Sequence, residues 1–270
     1  MHVYLEDNLK DAKTDKQICQ ALTKSFNDVE SEWHDMVKVA FVAGYPKTAY
    51  MGSTALVALV HDNKLFVANA GHSKAVLLRE LSTNTFKAQH LSKTHHIKVP
   101  AEEAKAKKRV PSGVDHVKYG MLVGEINSTR SLGNLWLKHA SFAKHDFDPA
   151  DKYKEAIKNF KSAIITHEPE ITVVDLCKQD RWLVLATDGM WNSLKRNEIA
   201  STVAQIENSK QNEADSVNVV RHLLYTTLDK VCAQEGITRS YMSDLEPGTR
   251  KRSLADDITI LTVDLKNQVV

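Results

Sequence analysis

The chain has 270 residues, 42% of them hydrophobic and 26% charged, a composition ordinary for a globular protein that buries a sizeable core. A formal net charge of +2 gives no global field for nucleic acid, and no apolar run approaches the length needed for membrane insertion. Cys19, Cys177 and Cys232 are odd in number and far apart, which fits reduced thiols inside a cell better than a disulfide framework.

Met1–Asp7 reads as neither a secretory signal nor an arginine-rich transit peptide. From Thr14 a helix is well specified. Thr14 and Gln17 have capping-box spacing, and Ile18, Leu22, Phe26, Val29 and Trp33 follow at helical intervals. Between Thr54 and Arg79 the pattern changes to alternation and continuous apolar runs. Strands are predicted at Thr54–Val60, Leu65–Asn69 and Lys74–Arg79, joined by a polar loop and by the Ala70–Ser73 turn. The expectation is an antiparallel meander.

Pro100 opens a helical segment, Ala101–Arg109, carrying Lys105, Lys107, Lys108 and Arg109. A solvated face is the ordinary reading of such a run, and a docking patch for an acidic or phosphorylated partner is the functional one. A direct nucleic-acid contact through Lys98–Arg109 is the weakest reading, since it would rest on this stretch alone. His90, His95 and His96 lie upstream with no acidic partner at ligand spacing, which argues against zinc. His139–Lys161 is a long polar excursion, partly helical from Ala150 onward, of the kind that forms lids or docking arms.

Ile171–Leu176 and Trp182–Thr187 read as a second hairpin, followed by amphipathic helices at Lys195–Ile206 and Ala214–Gln234. A final apolar strand, Ile258–Leu265, comes directly after Asp256-Asp257. The central stretch is Trp182-Leu183-Val184-Leu185-Ala186-Thr187-Asp188-Gly189. An aspartate that ends a fully apolar strand is costly to bury alone. It is a metal ligand, a hydrogen-bond anchor or a turn residue. With no repeats, low-complexity tracts or clear linkers, the pattern predicts one α+β domain over residues 1–270, its helices outside packed antiparallel sheets.

Six ordered segments resemble the metal-dependent type 2C serine/threonine phosphatases. They are Gly52-Ser53-Thr54-Ala55, the hairpin Leu65–Gly71, Thr129-Arg130-Ser131-Leu132-Gly133, Glu168-Pro169-Glu170, Thr187-Asp188-Gly189-Met190-Trp191 and Asp256-Asp257-Ile258-Thr259. The Asp-Asp-Ile-Thr variant and the approach through Tyr241–Arg252 look nearest the pyruvate dehydrogenase phosphatase branch and a related plant group. The resemblance implies a four-layer α/β/β/α sandwich. It also implies two Mg²⁺ or Mn²⁺ ions that activate a bridging water for in-line attack on a phosphoryl group.

Carried over residue by residue, Asp188 and Asp256 match family metal ligands. The other expected carboxylates are replaced. The family aspartate after Gly71 is His72, the one after Arg-Ser-Leu-Gly is Asn134, and the acidic residue two past Met190 is Asn192. The Asp-Gly-His-Gly-Gly motif, which supplies the ligand shared by both ions, occurs nowhere in the sequence. Val3–Leu9 looks like the helix that follows that motif, so the first strands are expected to be absent, including the one with the phosphate-binding arginine.

A histidine and amides do not bring the negative charge that hard cations require. Mg²⁺ or Mn²⁺ binding is therefore expected to be weak, no catalytic residue is assigned, and backbone-anchoring roles for Asp188 and Asp256 stay open. The expected function is a pseudophosphatase acting as a scaffold, regulatory or assembly subunit. A protein partner is expected to cover the sheet edge left by the missing strands. The alternative is an active phosphatase whose N-terminal part lies outside this chain or is supplied by another. The compartment is expected to be intracellular, mitochondrial or cytoplasmic.

Overall fold

A computed structural model describes residues 1–143, 160–209 and 216–266. The lid or docking excursion expected after His139 therefore falls largely outside the described residues, apart from its two ends, where Phe142 and Phe160 are both buried.

α1 (His2–Leu9) buries no residue and is tied to the next helix by Asn8, whose amide donates to Ser25 Oγ and Asp28 Oδ2 at 3.0 and 2.8 Å. α2 (Asp15–Val42) opens with the expected capping box: Thr14 Oγ1 accepts from Gln17 N–H, and Gln17 Oε1 accepts from Thr14 N–H at 3.0 Å. Its buried face carries Ile18, Leu22 and Phe26, one turn apart. Full burial of each is worth roughly 1.5–3 kcal/mol.

The strands follow as β1 (Gly52–Ser53), β2 (Ala55–His61), β3 (Lys64–Ala70), β4 (Lys74–Ser82) and β5 (Thr85–His90). After α3 (Pro100–Arg109) come the short β6 (Val117–Lys118), β7 (Met121–Leu122) and β8 (Leu132–Gly133), then α4 (Ala140–Ala143). The second half contains β9 (Glu170–Asp175), β10 (Asp180–Ala186), α5 (Asp188–Trp191), α6 (Arg196–Asn208), α7 (Ser216–Glu235), α8 (Arg239–Asp244), α9 (Thr249–Leu254) and β11 (Ile260–Asp264). The α+β class is as expected.

Two strand pairings differ from expectation. β3 pairs with β2 and β9, whereas β4 joins a different sheet of order β11-β10-β4-β5. The expected meander therefore breaks at the Ala70–Ser73 turn. The backbone there bonds elsewhere: Gly71 N–H donates to His95 Nδ1 at 3.2 Å, and Gly71 O accepts from His95 N–H at 3.0 Å. β9 and β10 likewise belong to separate sheets and form no hairpin. Between them, Leu176 N–H goes back to Asn63 O, and Cys177 N–H is taken by the Asp180 carboxylate at 2.9 Å. Asp180, 1% exposed, also accepts from Arg79 Nε at 2.7 Å and from a second guanidinium nitrogen at 3.0 Å. That two-point pairing across β4 and β10 sits where their register shifts. β5 had no sequence signal, because it is a polar edge strand in which only Ala88 is buried.

By contacts the chain divides into two compact units, Met1–Val57 with Ala68–His72 and Thr94–Ile171, and Ala58–Val67 with Ser73–Lys93 and Thr172–Val270. The first has a core around Ile97, Leu122, Leu135, Trp136, Leu137 and Ile164. The second packs Val76, Leu78, Trp182 and Val184 of its sheet against Ile199, Val203 and Leu223 of α6 and α7. Ala75, Leu77 and Leu183, on the opposite face of those strands, are buried too. That is why β4 and β10 read as continuous apolar runs rather than alternating ones.

Inside the first unit lies a buried ion pair. Lys138 Nζ donates to Glu30 Oε1 at 2.6 Å and to Ser131 O at 2.7 Å, and Glu30 Oε2 accepts from Gly133 N–H at 2.8 Å. Both side chains are more than nine-tenths buried. Lys138→Met, which strands the Glu30 charge, is expected to cost about 3–5 kcal/mol in urea unfolding. The double variant Glu30→Gln/Lys138→Met is expected to lose less than the single one.

Candidate functional site

The second unit brings Asp188 and the Asp256-Asp257 segment to adjoining strand ends. β10 and β11 pair antiparallel up to Ala186 opposite Ile260. Beyond that pair Thr187 takes over. Its N–H donates to Thr259 O at 3.1 Å, its Oγ1 accepts from Thr259 N–H at 3.0 Å, and Oγ1 also lies 3.1 Å from Asp257 O as its donor. Gly189 completes the join. A Cβ at this position would stand 2.5 Å from Asp257 O, a backbone atom that cannot swing away.

Asp188 is half-buried at the first position of α5, where an acidic side chain complements the helix start. Asp256 is exposed, and its Oδ1 accepts from Asp257 N–H at 2.9 Å. Lys74, opposite Ala186 in the ladder, supplies the nearby positive charge. Burial lowers its pKa, and the charge of Asp188 opposes that shift. The Lys74 ammonium also stands 5.9 Å from the centre of the Trp191 ring, which is fixed by donation from its Nε1 to Ala186 O at 2.8 Å. Asn192 is exposed and closes the short helix through its N–H to Asp188 O at 2.8 Å.

The first unit holds Asn134 and His72, two positions at which the resemblance expects an aspartate. Asn134 adopts a left-handed conformation, φ 49°, which asparagine tolerates. Its amide donates to Ser131 Oγ at 2.9 Å and fills the space a Cβ on Gly52 would need, 2.0 Å away. His72 stacks on His96 with ring centroids 4.8 Å apart.

Beside this turn is a charged cluster that the sequence did not announce. Glu102 accepts from Thr129 Oγ1 at 2.6 Å, Lys105 Nζ at 2.7 Å and the Arg130 guanidinium at 3.3 Å. Burial by itself would raise the Glu102 pKa, but these hydrogen bonds and the Arg130 charge outweigh it and hold it at about 2. His95 is fully buried. Burial first, and then the neighbouring Arg130 charge, lower its pKa to about 4, so at neutral pH Nδ1 accepts from Gly71 while Nε2 lies 3.6 Å from Glu170. Arg130 and Glu170 sit in two of the quoted motifs. Nothing in the pattern marked Glu102 as the charged residue that its helix buries. On that helix Lys107 and Lys108 are exposed, Lys105 is tied to Glu102, and Arg109 is half-buried.

Comparison with known proteins decides the lineage. The family model described as "Protein phosphatase 2C" matches residues 2–232. The chain belongs to the protein phosphatase 2C family. It is 28% identical over 264 residues to "Probable protein phosphatase 2C 79" of Arabidopsis thaliana, covering 96% of this chain and 65% of that protein. Against "Probable protein phosphatase 2C 46" of the same plant it is 30% identical over 230 residues, covering 83% and 58%. The chain thus spans about two thirds or less of the length of these two relatives. In fold it is similar to the serine-threonine phosphatase 2C of Toxoplasma gondii, with TM-score 0.61, 17% identity, and coverage of 96% of this chain and 73% of that one. A second fold relative, "Structure of a C.elegans sex determining protein", gives TM-score 0.60 at 17% identity, covering 97% of this chain and 50% of that one.

Phosphatases of the 2C family are generally Mg²⁺- or Mn²⁺-dependent. In this chain Asp188 and Asp256 keep carboxylates at adjoining strand ends. No group of three or more His, Cys, Asp or Glu side chains that could hold a metal ion occurs among the described residues.

Two expectations follow for this 2C-type chain. Gly189→Ala is expected to lower stability by about 1–3 kcal/mol in urea unfolding, because the β10–β11 join must open to admit the methyl group. Acid should destabilise the protein in two stages. The unfolded chain protonates His95 near 6.5 and the folded chain only near 4, so stability falls as pH drops through that window. Glu102 has its folded pKa depressed from 4.5 to about 2, so its contribution is present above 4.5 and is lost as pH falls towards 2. In unfolding measurements against pH, His95→Gln should flatten the upper slope and Glu102→Gln the lower.

Proposed function

We propose that this 2C-family chain is a pseudophosphatase: one phosphatase-like domain over residues 1–270 that serves as a scaffold, regulatory or assembly subunit. The observation that carries the reading is Asn134. Its neutral amide stands where the family pattern has an aspartate, and it is built into the fold by Gly52 and Ser131. Restoring a carboxylate there would place a charge in a slot shaped for an amide. His72 and Asn192 remove charge at two further family positions. Mg²⁺ or Mn²⁺ then has Asp188 and Asp256 as its residual ligands and binds weakly. The proposed kinship with the pyruvate dehydrogenase phosphatase branch, or the plant group near it, rests on the Asp-Asp-Ile-Thr motif and the approach through Tyr241–Arg252.

The proposed partner is a protein. An apolar cavity of about 320 Å³, lined by Val29, Trp33, Met51, Gly52 and Leu132 among others, opens beside the two-stranded β1–β8 pair and suits an extended apolar segment. Exposed Lys107 and Lys108 suit an acidic or phosphorylated one. No helix among the described residues is long and apolar enough to cross a membrane. The three free cysteines fit the proposed intracellular setting.

A second reading, an active serine/threonine phosphatase completed by sequence outside this chain, is favoured by the phosphatase names of its relatives and by their greater length. Assay of the purified chain with a phosphoserine protein and millimolar Mn²⁺ separates the two. Background hydrolysis, unchanged in Asp188→Ala, is expected. A metal-dependent rate that Asp188→Ala abolishes would establish the second reading instead. Titration calorimetry with Mn²⁺ is expected to show at most one weak site, lost in Asp188→Asn/Asp256→Asn.

A further inference from the structure

The segment that leads into β11 reads Gly248-Thr249-Arg250-Lys251-Arg252-Ser253-Leu254. Three cations stand immediately before a serine, and an aliphatic residue follows it. Ser253 is exposed, as are Arg250 and Arg252. The six-residue helix α9 that carries them buries no residue, and its apolar anchor is Leu254, half-buried against Val231, Cys232 and Met242, so its local opening gives up little apolar packing. The Ser253 hydroxyl is engaged within that helix alone, donating to Arg250 O at 2.8 Å. Lys251 Nζ donates to Leu245 O at 3.0 Å, and the Arg250 guanidinium rests against Tyr241. These are surface bonds that an acidic cleft can replace.

We infer that Ser253 is a phosphorylation site for a protein kinase whose acidic subsites read basic residues two and three positions before the acceptor. Charge complementarity of that kind is a common basis of kinase selectivity. In the transfer, Ser253 Oγ attacks the γ-phosphorus of ATP. The bond from that phosphorus to the bridging β-phosphate oxygen breaks, ADP leaves, and the hydroxyl proton passes to the kinase's catalytic aspartate.

Location gives the modification its consequence. Ser253 lines a cavity of about 920 Å³ together with Lys251, Arg252, Asp256 and Asp257. The two cations and two carboxylates balance. A phosphate adds about −1.5 to −2 charges and turns this wall anionic beside Asp256. The acceptor assignment stands whether or not the family's reaction survives in this chain.

The test uses the full chain, ATP and the catalytic domain of a kinase that selects arginine and lysine at those positions, with intact and fragment mass measurement. One phosphate at Ser253 is expected, absent in Ser253→Ala. Its rate should fall at least about ten-fold in Arg250→Ala/Lys251→Ala, since two charge-assisted contacts to the kinase are lost. Far-ultraviolet circular dichroism checks that the variants fold. No phosphate at Ser253 would overturn the inference. So would an unchanged rate in the double variant, or preference for Ser112, which has Arg109 three residues before it but Val110 and Pro111 between. The phosphorylated chain should bind Mn²⁺ about three-fold more tightly or better. Equal affinity before and after modification would overturn the claimed effect on the cavity.

Discussion

The candidate site depends on how β10 and β11 end. Thr187 continues the ladder by one step with both its backbone and its hydroxyl, and Gly189 lets the Asp257 carbonyl close over the following turn. Asp188 starts a helix at that point, and Asp256 begins the approach to the next strand. Their adjacency is a property of the backbone. It holds whether or not either carboxylate binds a cation.

The three positions at which the family resemblance expects an acidic residue have structural partners of their own. Asn134 is a left-handed turn residue whose amide fits over a glycine. His72 packs by stacking, and Asn192 ends a short helix by its backbone. Lys74 places a cation near Asp188 from within the protein itself. Each of these is compatible with a stable fold and none brings negative charge.

Stability rests on polar cores as well as apolar ones. Lys138 and Glu30 saturate one another and the Gly133 and Ser131 backbone. Glu102 gathers Arg130, Lys105 and Thr129, and Asp180 locks Arg79 across two strands. All are satisfied networks of a kind that specifies one arrangement, because partial satisfaction in a buried setting is costly.

Local pattern alone determined much of this protein. The capping box at Thr14, the helical stripe through Phe26, the proline that opens α3 and the apolar runs of β3, β4 and β10 follow from interactions within a few residues. The six ordered motifs placed the chain in its family and located Asp188, Asp256, His72, Asn134 and Asn192. Strand partnership was decided only in three dimensions. A tight turn after β3 reads as a hairpin until His95, two dozen residues later, captures both polar groups of Gly71. The charge networks were equally hidden, since Glu30 with Lys138 and Glu102 with Arg130 meet across long separations in sequence. Periodicity reports which side of an element is buried. It carries no information about which distant group will satisfy a buried charge or a free backbone amide, and those pairings fixed both the sheets and the surroundings of the site.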